Sequence, residues 1–151
     1  MIGSQAHTNF RIERLNDQDL VHVSPLLEGL PWSPQMLADE VHRSWARCLI
    51  AWSTAGEIVG LFVGWHVVDE LQILLVATRE NVRRMGVASR LVQAAFATCE
   101  PLKTSLLEVR ASNQAAQSLY RKLGFEEFNV RRRYYDDGED AIEMKLQLPH
   151  S

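Results

Sequence analysis

The chain has 151 residues, a length that fits one folded domain with a substantial core, and we expect residues 1–151 to form a single domain. Apolar residues make up 46% of the chain and charged residues 23%, the balance of a globular protein rather than of a disordered one. The formal net charge of -3 provides no overall field to attract nucleic acid, so direct nucleic-acid binding is not expected.

Targeting signals and reactive cysteines are not indicated by the sequence. Residues 1–10 are polar and lack the apolar block of a secretory signal, and no apolar run reaches the length of a membrane span. We therefore expect a cytoplasmic protein that does not bind membranes. Cys48 and Cys99 form no C-x-x-C pair and have no histidine at ligand spacing, so we expect no metal site and no redox chemistry. Both thiols are predicted to pack as small apolar groups.

The first third of the chain predicts one strand and two helices. Residues 10–15 alternate as in a strand, and Asn16 is a suitable cap for a helix from Asp17 to about Glu28. A second helix is expected over residues 34–44, because Ser33 is a good N-cap and Pro34 suits the first helical position.

Three strand patterns follow, typical of an antiparallel meander. They cover residues 47–53, 58–65 and 70–78. In the middle strand, alternation predicts one shared face, formed by Val59, Leu61, Val63 and Trp65. Gly60 and Gly64 lie on the opposite face and indicate a bulge or a close backbone contact.

The second half alternates between helical and strand patterns. A broad apolar stripe at helical spacing runs from Ala88 to Cys99. A strand is then predicted over residues 105–110, a helix over residues 113–123 that ends at Gly124, and two strands over residues 125–132 and 141–148. The element order is β-α-α-β-β-β-α-β-α-β-β, which predicts a mixed, twisted sheet of about seven strands with helices on both faces.

The segment from Val82 to Ser89 is the most informative stretch of the chain. It joins a strand to an amphipathic helix, and its small residues Gly86 and Ala88 allow a ligand to approach the backbone. Free N–H groups and the helix dipole favour an anion at such a helix start, and Arg83 and Arg84 add positive charge. The pattern predicts a phosphate or pyrophosphate site; an ordinary glycine in a strand-to-helix turn explains it equally well.

Two motifs carry a resemblance to a known family. Arg83-Arg84-Met85-Gly86-Val87-Ala88 resembles the R/Q-x-x-G-x-G/A loop of the GNAT acetyltransferase superfamily, which holds the pyrophosphate of coenzyme A. The stretch from Leu107 to Asn113, followed by Leu119-Tyr120 and Leu123-Gly124-Phe125, is similar to the RimI branch, the ribosomal-protein-alanine N-acetyltransferases. The resemblance implies a GNAT fold of the α+β class and acetyl-CoA as cosubstrate, with no metal.

The resemblance also implies roles for particular residues. Glu108 matches the general base and Tyr120 the general acid, while Asn113 matches an acetyl-CoA contact. The implied cofactor-binding residues are the strand end, Val76, Ala77 and Thr78, and the pyrophosphate loop, Arg83, Arg84, Met85, Gly86, Val87, Ala88 and Ser89. Three residues depart from the usual pattern of the branch, namely Thr78, Glu80 and Met85. Met85 removes one positive charge from the loop.

The chemistry explains why these residue types are needed. An α-amine with a pKa of roughly 7.7–8.0 is largely protonated at neutral pH, and a carboxylate can remove the proton directly or through water. A strand-end N–H near Val76 or Ala77 is a candidate for stabilising charge on the thioester oxygen, and a tyrosine hydroxyl can protonate the departing thiolate. Periodicity alone, however, favours a core aromatic at Tyr120. Taken alone, Glu108 is explained equally by a structural carboxylate that pairs with Arg110 or a neighbour.

The acceptor is less well determined than the cosubstrate. The resemblance implies the N-terminal alanine of a ribosomal protein, acetylated by direct transfer in a ternary complex. The alternatives are a lysine or small-molecule amine as acceptor, and a module that binds acetyl-CoA without catalysis. The run from Arg131 to Arg133 is interpreted as a solvated strand end that faces the acidic residues 136–140, and this acidic loop is a hypothetical grip for a basic peptide.

Overall fold

The computed structural model describes residues 9–149, so most of the polar N-terminal segment considered above lies outside the described residues. Its centre is a seven-stranded sheet with the order β1-β2-β3-β4-β5-β7-β6. The strands are β1 Arg11–Arg14, β2 Ala46–Trp52, β3 Ile58–Val67, β4 Glu70–Thr78, β5 Thr104–Arg110, β6 Glu126–Arg131 and β7 Ala141–Gln147. The α-helices are α1 Ser24–Leu27, α2 Pro34–Val41, α3 Val87–Ala97 and α4 Gln114–Lys122, and short 3-10 helices span Asp17–His22 and Glu80–Val82. The predicted mixed sheet and element order are confirmed.

One strand pair differs from the rest of the sheet. β4 and β5 run parallel, and their pairing extends only from Glu70 with Thr104 to Ile73 with Leu107. β4 nevertheless continues to Thr78 alongside β3, and β5 continues to Arg110 alongside β7. The two central strands therefore separate toward their C-terminal ends, and the edge of β4 beyond Ile73 has no strand partner on the β5 side.

The two faces of the sheet are covered to different extents. One buried cluster lies between the sheet and helices α3 and α4, where Phe62, Leu91 and Phe125 are among the most buried side chains. The other cluster joins β2 and β3 to α1 and α2, through residues such as Ile50, Leu61 and Leu37. Since the contacts of α1 and α2 are with β2, β3 and β4, this second face is left open over β5 and β7.

The first predicted helix is wrong in its form. Instead of one helix from Asp17 to Glu28, the chain makes the 3-10 helix Asp17–His22 and then the single turn α1, Ser24–Leu27. Pro25 explains the break, because proline has no N–H to continue a helical ladder and suits only the start of a new helix. The next helix, α2, begins as predicted, with the Ser33 hydroxyl accepting from the Met36 N–H at 3.1 Å, but it ends at Val41 rather than near Ser44.

The predicted face of β3 is also wrong at one residue. Trp52 pairs with Ile58 and Ala51 pairs with Gly60, so Val59 is an extra residue in a bulge. The bulge turns Val59 toward the α3 cluster, while Leu61 and Val63 lie in the opposite cluster. The expected close approach at Gly60 is confirmed: a Cβ there would lie 2.8 Å from Val87 Cγ1 and 2.9 Å from Leu91 Cδ1. Gly60 therefore allows the start of α3 to sit against the sheet.

Candidate active site

The separation of β4 and β5 opens a cleft of about 170 Å³ through the sheet. Backbone and side chains of both strands form its walls, from Ile73 to Val76 on β4 and from Leu107 to Arg110 on β5. Helix α4 closes one side, with its N-cap Asn113 and with Tyr120 from its last turn. The cleft is an unpaired strand edge bounded by polar side chains, a place where an extended ligand can add its own hydrogen-bonding groups to β4.

A second, larger groove of about 460 Å³ lies on the open face of the sheet. Its lining residues come from five strands: Trp65, Val67, Glu70, Gln72, Leu74, Glu108, Arg131 and Glu143. Leu74 and Glu108 line both the groove and the cleft. Because Glu108 alternates out of phase with the buried Leu107 and Val109, its carboxylate points away from the α3 cluster, as the sequence predicted.

Glu108 has two polar partners. The Tyr134 hydroxyl donates to Glu108 Oε1 at 3.1 Å, and Arg131 Nε lies 3.3 Å from Glu108 Oε2. The hydrogen bond with Glu108 is the main reason that the pKa of Tyr134 is raised. The sequence interpretation of Arg131 as facing the acidic loop is wrong, because its guanidinium instead reaches over β7 into the groove, where it also lies 3.2 Å from Glu143 Oε1.

The expected alternative partner of Glu108, Arg110, is used elsewhere. Arg110 NH1 lies 2.9 Å from both Asp137 Oδ2 and Glu139 Oε1, and its guanidinium stacks 4.1 Å from the centre of the Tyr135 ring. Glu139 also accepts from the Ser112 N–H at 2.7 Å. These contacts fix the acidic loop to the end of β5 and the start of α4. Asp137 and Glu139 therefore share the single positive charge of Arg110 within the protein.

Tyr120 is both a core aromatic and a residue that lines the cleft, so the structure is compatible with both interpretations of its sequence position. Its side chain is 7% exposed and belongs to the α3 cluster, where its ring packs edge-on against Phe125 with centroids 5.6 Å apart. It also lines the cleft. Burial raises the pKa of the Tyr120 hydroxyl, so the group holds its proton at neutral pH.

Asn113 lies at the junction between β5 and α4. Its side-chain oxygen accepts from the Ala116 N–H at 3.1 Å and caps α4, while the residue also lines the cleft. The cap uses the oxygen of the amide, so the NH₂ group is the part of the side chain that can donate to a ligand. On the opposite wall, Val76 lines the cleft, and Ala77 and Thr78 continue β4 in register with Leu61 and Gly60 of β3.

The loop before α3 has the backbone expected for an anion site. Arg84 and Gly86 both have positive φ, 70° and 84°, and Gly86 is the N-cap. The Arg90 N–H donates to the Gly86 carbonyl at 3.0 Å, so the N–H groups of Val87, Ala88 and Ser89 precede the helical ladder. A Cβ on Gly86 would meet nothing within 4 Å, which leaves open space beside these donors. Residues 83–89 thus fit a pyrophosphate.

The groove has a rigid wall on the side of α2. Trp65 Nε1 donates to the buried carboxylate of Glu40 at 2.7 Å, and Arg43 pairs with Glu40 at 2.6 Å. The Arg43 guanidinium also lies 5.9 Å from the Trp65 ring centre. Since Glu40 is 6% exposed, this network holds the indole in one orientation.

Comparisons with known proteins agree with this geometry. Residues 13–125 match the family model described as Acetyltransferase (GNAT) family. The chain is a GNAT acetyltransferase. It is 31% identical over 132 residues to the [ribosomal protein bS18]-alanine N-acetyltransferase of Escherichia coli K12, with 84% of this chain and 88% of that protein covered.

Two further comparisons bear on this GNAT acetyltransferase. An N-alpha-acetyltransferase of Sulfurisphaera tokodaii is 40% identical over 108 residues, which cover 62% of this chain and just under two thirds, 65%, of that relative. The crystal structure of the ribosomal-protein-S18-alanine N-acetyltransferase from Escherichia coli superimposes with a TM-score of 0.83 at 30% identity, covering 94% of this chain and 96% of the other. The protein is therefore an acetyl-CoA-dependent N-acetyltransferase with the GNAT fold, similar to RimI.

The cysteines of this GNAT acetyltransferase are buried, as predicted. Burial raises the pKa of the Cys48 thiol to about 12 and also raises that of Cys99. A thiol is a nucleophile only as the thiolate, so neither cysteine is prepared to accept an acetyl group. Within residues 9–149, no cluster of three or more histidine, cysteine, aspartate or glutamate side chains could hold a metal ion, and no helix is long and apolar enough to cross a membrane.

Most of the larger groove was not predicted from the sequence. Glu143 alternates out of phase with Ile142 and Met144, a signal like that of Glu108, but only the β5–β7 register puts the two carboxylates opposite each other. Trp65 and Tyr134 carried no local signal that distinguished them from packing or surface aromatics. Arg131 reaches the groove because β6 pairs with β7 at the edge of the sheet.

Proposed function

We propose that this enzyme acetylates the N-terminal α-amine of a protein, with alanine as the first residue and a ribosomal protein as the natural acceptor. Glu108 acts as the general base and Tyr120 as the general acid. We also propose that residues 1–151 act as one catalytic domain in the cytoplasm. The observation that carries the proposal is the position of Glu108, the charged residue that lines both the 170 Å³ cleft and the 460 Å³ groove.

The cleft and the loop before α3 are the proposed site of acetyl-CoA. The loop residues Arg83 to Ser89 would hold the pyrophosphate with their N–H groups and arginines, while Val76, Ala77 and Thr78 offer the free edge of β4 to the pantetheine arm. Asn113 would donate from its amide. When bound, the thioester supplies the activated acetyl group. An N–H of Val76 or Ala77 is the proposed donor to the thioester oxygen.

The groove supports a peptide as the acceptor. Glu70, Gln72 and Leu74 line it at alternate positions along β4, which corresponds to a length of about 13 Å at roughly 3.3 Å per residue. A groove of this length accommodates about four residues of an extended chain. The peptide would enter with its amine at Glu108, next to the cleft.

Proton transfer would then use two groups that line the cleft, Glu108 and Tyr120. The α-ammonium would give a proton to Glu108, directly or through water, before or during attack on the thioester. Tyr120, kept protonated by its burial, would deliver a proton to the departing thiolate. Because both cysteines are buried with raised pKa values, we expect direct transfer without an acetyl-enzyme.

The experiment is an acceptor panel read by mass spectrometry. Acetyl-CoA is offered with peptides that begin with alanine, serine or methionine, with a lysine peptide whose N-terminus is blocked, and with spermidine. We expect acetylation at the α-amine of the alanine peptide. Acetylation of the blocked lysine peptide or of spermidine instead would favour the second candidate, a lysine or small-amine acetyltransferase.

The catalytic residues are tested with isosteric variants. Glu108→Gln should lower kcat by at least about 100-fold and Tyr120→Phe by about tenfold or more, because a positioned acid or base contributes roughly 10²–10⁴-fold. Calorimetry should find acetyl-CoA binding unchanged in both. The matched control is Glu126→Gln, the same change at an exposed residue of β6. If both variants turn over normally while they bind acetyl-CoA, the assignment of Glu108 and Tyr120 is wrong.

A further inference from the structure

The groove contains a second carboxylate that the proposed chemistry does not use. Glu143 of β7 is the cross-strand partner of Glu108 of β5, so the two side chains stand opposite each other on the same face of the sheet. Both line the groove, and both are mostly buried, with Glu143 13% exposed and Glu108 25% exposed. Like charges directly opposite each other in a sheet are destabilising, so this arrangement requires a compensating cation.

Arg131 is that cation, and a single nitrogen serves both carboxylates. Its Nε lies 3.3 Å from Glu108 Oε2 and 3.2 Å from Glu143 Oε1. One N–H cannot direct a good hydrogen bond at two acceptors. The hydrogen bond to Glu143 is the main cause of the raised pKa of Arg131, and the charge of Glu108 adds to it, so Arg131 is held chiefly by Glu143 while it still faces Glu108. Its side chain is 53% exposed, which lets the guanidinium move without losing a buried position.

The charges around Glu108 favour the arrival of another cation. Three carboxylates line the groove, those of Glu70, Glu108 and Glu143, against the one guanidinium of Arg131. The other charged or titratable groups near Glu108 are Tyr134, which donates to it, Tyr135, and Arg110, which is bound to Asp137 and Glu139. An acceptor ammonium would therefore compete with Arg131 for Glu108.

We propose that Arg131 holds the place of the acceptor ammonium on Glu108 in the free enzyme, and that Glu143 retains Arg131 when the acceptor arrives. Glu143 is thus a positioning residue that frees the base for its substrate. Asn129 supports this role, since its Nδ2 donates to Glu143 Oε1 at 2.6 Å and orients the carboxylate toward the groove. The inference rests on the proposed function, with Glu108 as the base.

The test uses four variants: Glu143→Gln, Arg131→Met, the double variant of both, and Glu70→Gln. Glu143→Gln keeps an oxygen for Asn129 but removes the charge that retains Arg131. Glu70→Gln is the matched control, because it makes the same charge change in the same groove at a residue for which the structure records no contact with Arg131. Acceptor KM and kcat are measured with the alanine peptide from pH 5 to pH 9, with acetyl-CoA affinity and Tm as controls for folding.

The expected results differ between the variants. Glu143→Gln should raise the acceptor KM about tenfold with kcat within about twofold, and the acid limb of the rate profile should move to lower pH, because Arg131 now pairs with Glu108 alone. Arg131→Met should move that limb upward by roughly one pH unit, because the two carboxylates then face each other without a cation. In the double variant the acceptor KM should return most of the way to the wild-type value. Glu70→Gln should leave the limb where it is, while its acceptor KM is expected to rise because Glu70 also lines the groove.

Three outcomes would overturn the inference. They are an unchanged KM and rate profile in Glu143→Gln, a double variant no better than Glu143→Gln, and a Glu70→Gln profile that matches that of Glu143→Gln. A wild-type enzyme that binds acetyl-CoA but acetylates no peptide would refute the proposed function instead. In that case the Tm values still test the contact between Arg131 and Glu143, since the effect of the double variant must differ from the sum of the effects of Arg131→Met and Glu143→Gln.

Discussion

At Gly60 the sheet and the start of α3 approach each other closely, and its replacement by alanine tests how the loop before α3, the proposed pyrophosphate site, is positioned. The added Cβ would lie 2.8 Å from Val87 Cγ1 and 2.9 Å from Leu91 Cδ1. The first contact is about 0.6 Å shorter than the 3.4 Å at which ordinary van der Waals contact begins. Val87 is 2% exposed and is the first residue of α3, so the helix start must retreat by about this distance.

Two measurable effects should follow. Overpacking of a core costs about 1–3 kcal/mol, which for a chain of this size lowers Tm by roughly 3–10 °C. The N–H groups at the start of α3 would also leave the range of 2.7–3.2 Å in which they bond well, and loss of one charge-assisted bond weakens binding by about tenfold or more. We therefore expect Gly60→Ala to raise the Kd for coenzyme A, measured by calorimetry, and to lower Tm, measured by circular dichroism.

The control replaces the residue that the new methyl group would strike. In the double variant Gly60→Ala, Val87→Ala, the space of the Val87 methyls accommodates the new Cβ, so coenzyme A affinity should return toward that of the wild type. A Gly60→Ala protein that binds coenzyme A with the wild-type Kd would show that the close approach does not position the loop, and the reasoning would fail.

Three other predictions concern single groups. Tyr134→Phe removes the hydroxyl that donates to Glu108 at 3.1 Å, so kcat/KM for the acceptor should fall several-fold. The acid limb of the dependence of kcat/KM on pH should move to higher pH. An unchanged pH dependence would exclude a role for this bond. Cys48 and Cys99 should resist alkylation in the folded enzyme, and fast alkylation would contradict their burial. The free energy of unfolding should fall as pH rises from about 9 to 12, because the unfolded chain then ionises a thiol that the folded protein keeps protonated. For Cys48 the fall is up to about 1.4 kcal/mol per pH unit, and a constant alkaline stability would contradict it. Hydrogen bonds from Ser112 and Arg110 lower the pKa of Glu139 below its ordinary 4.5, so its contribution to stability is present above that value and is lost as pH falls through the folded pKa. In Glu139→Gln, Tm should therefore depend less steeply on pH on the acid side. An unaltered dependence of Tm on pH would refute this role of Glu139.

The sheet, most element boundaries and the loop before α3 were predictable because they depend on local patterns. β4 matches its predicted residues 70–78, since alternation and turn residues lie within the strand itself. The failure at Asp17 to Glu28 had a local cause, Pro25, whose signal was present in the sequence beside the cap at Asn16. The failure at Val59 had no local signal, because a bulge depends on how β3 aligns with β2.

For this protein, the sequence by itself determined the order of elements, the strand-to-helix loop around Gly86, and the side of β5 on which Glu108 lies. Only the tertiary structure decided that Ile73 is the residue after which β4 and β5 separate, that Arg131 crosses β7, and that Glu143 stands opposite Glu108. The physical reason is range: a helix start or an alternating strand is specified by neighbours a few residues apart. Register between strands that are more than 30 residues apart is settled by the packing of the whole sheet, and the pair of Glu108 and Glu143 in the larger groove depends on such a register.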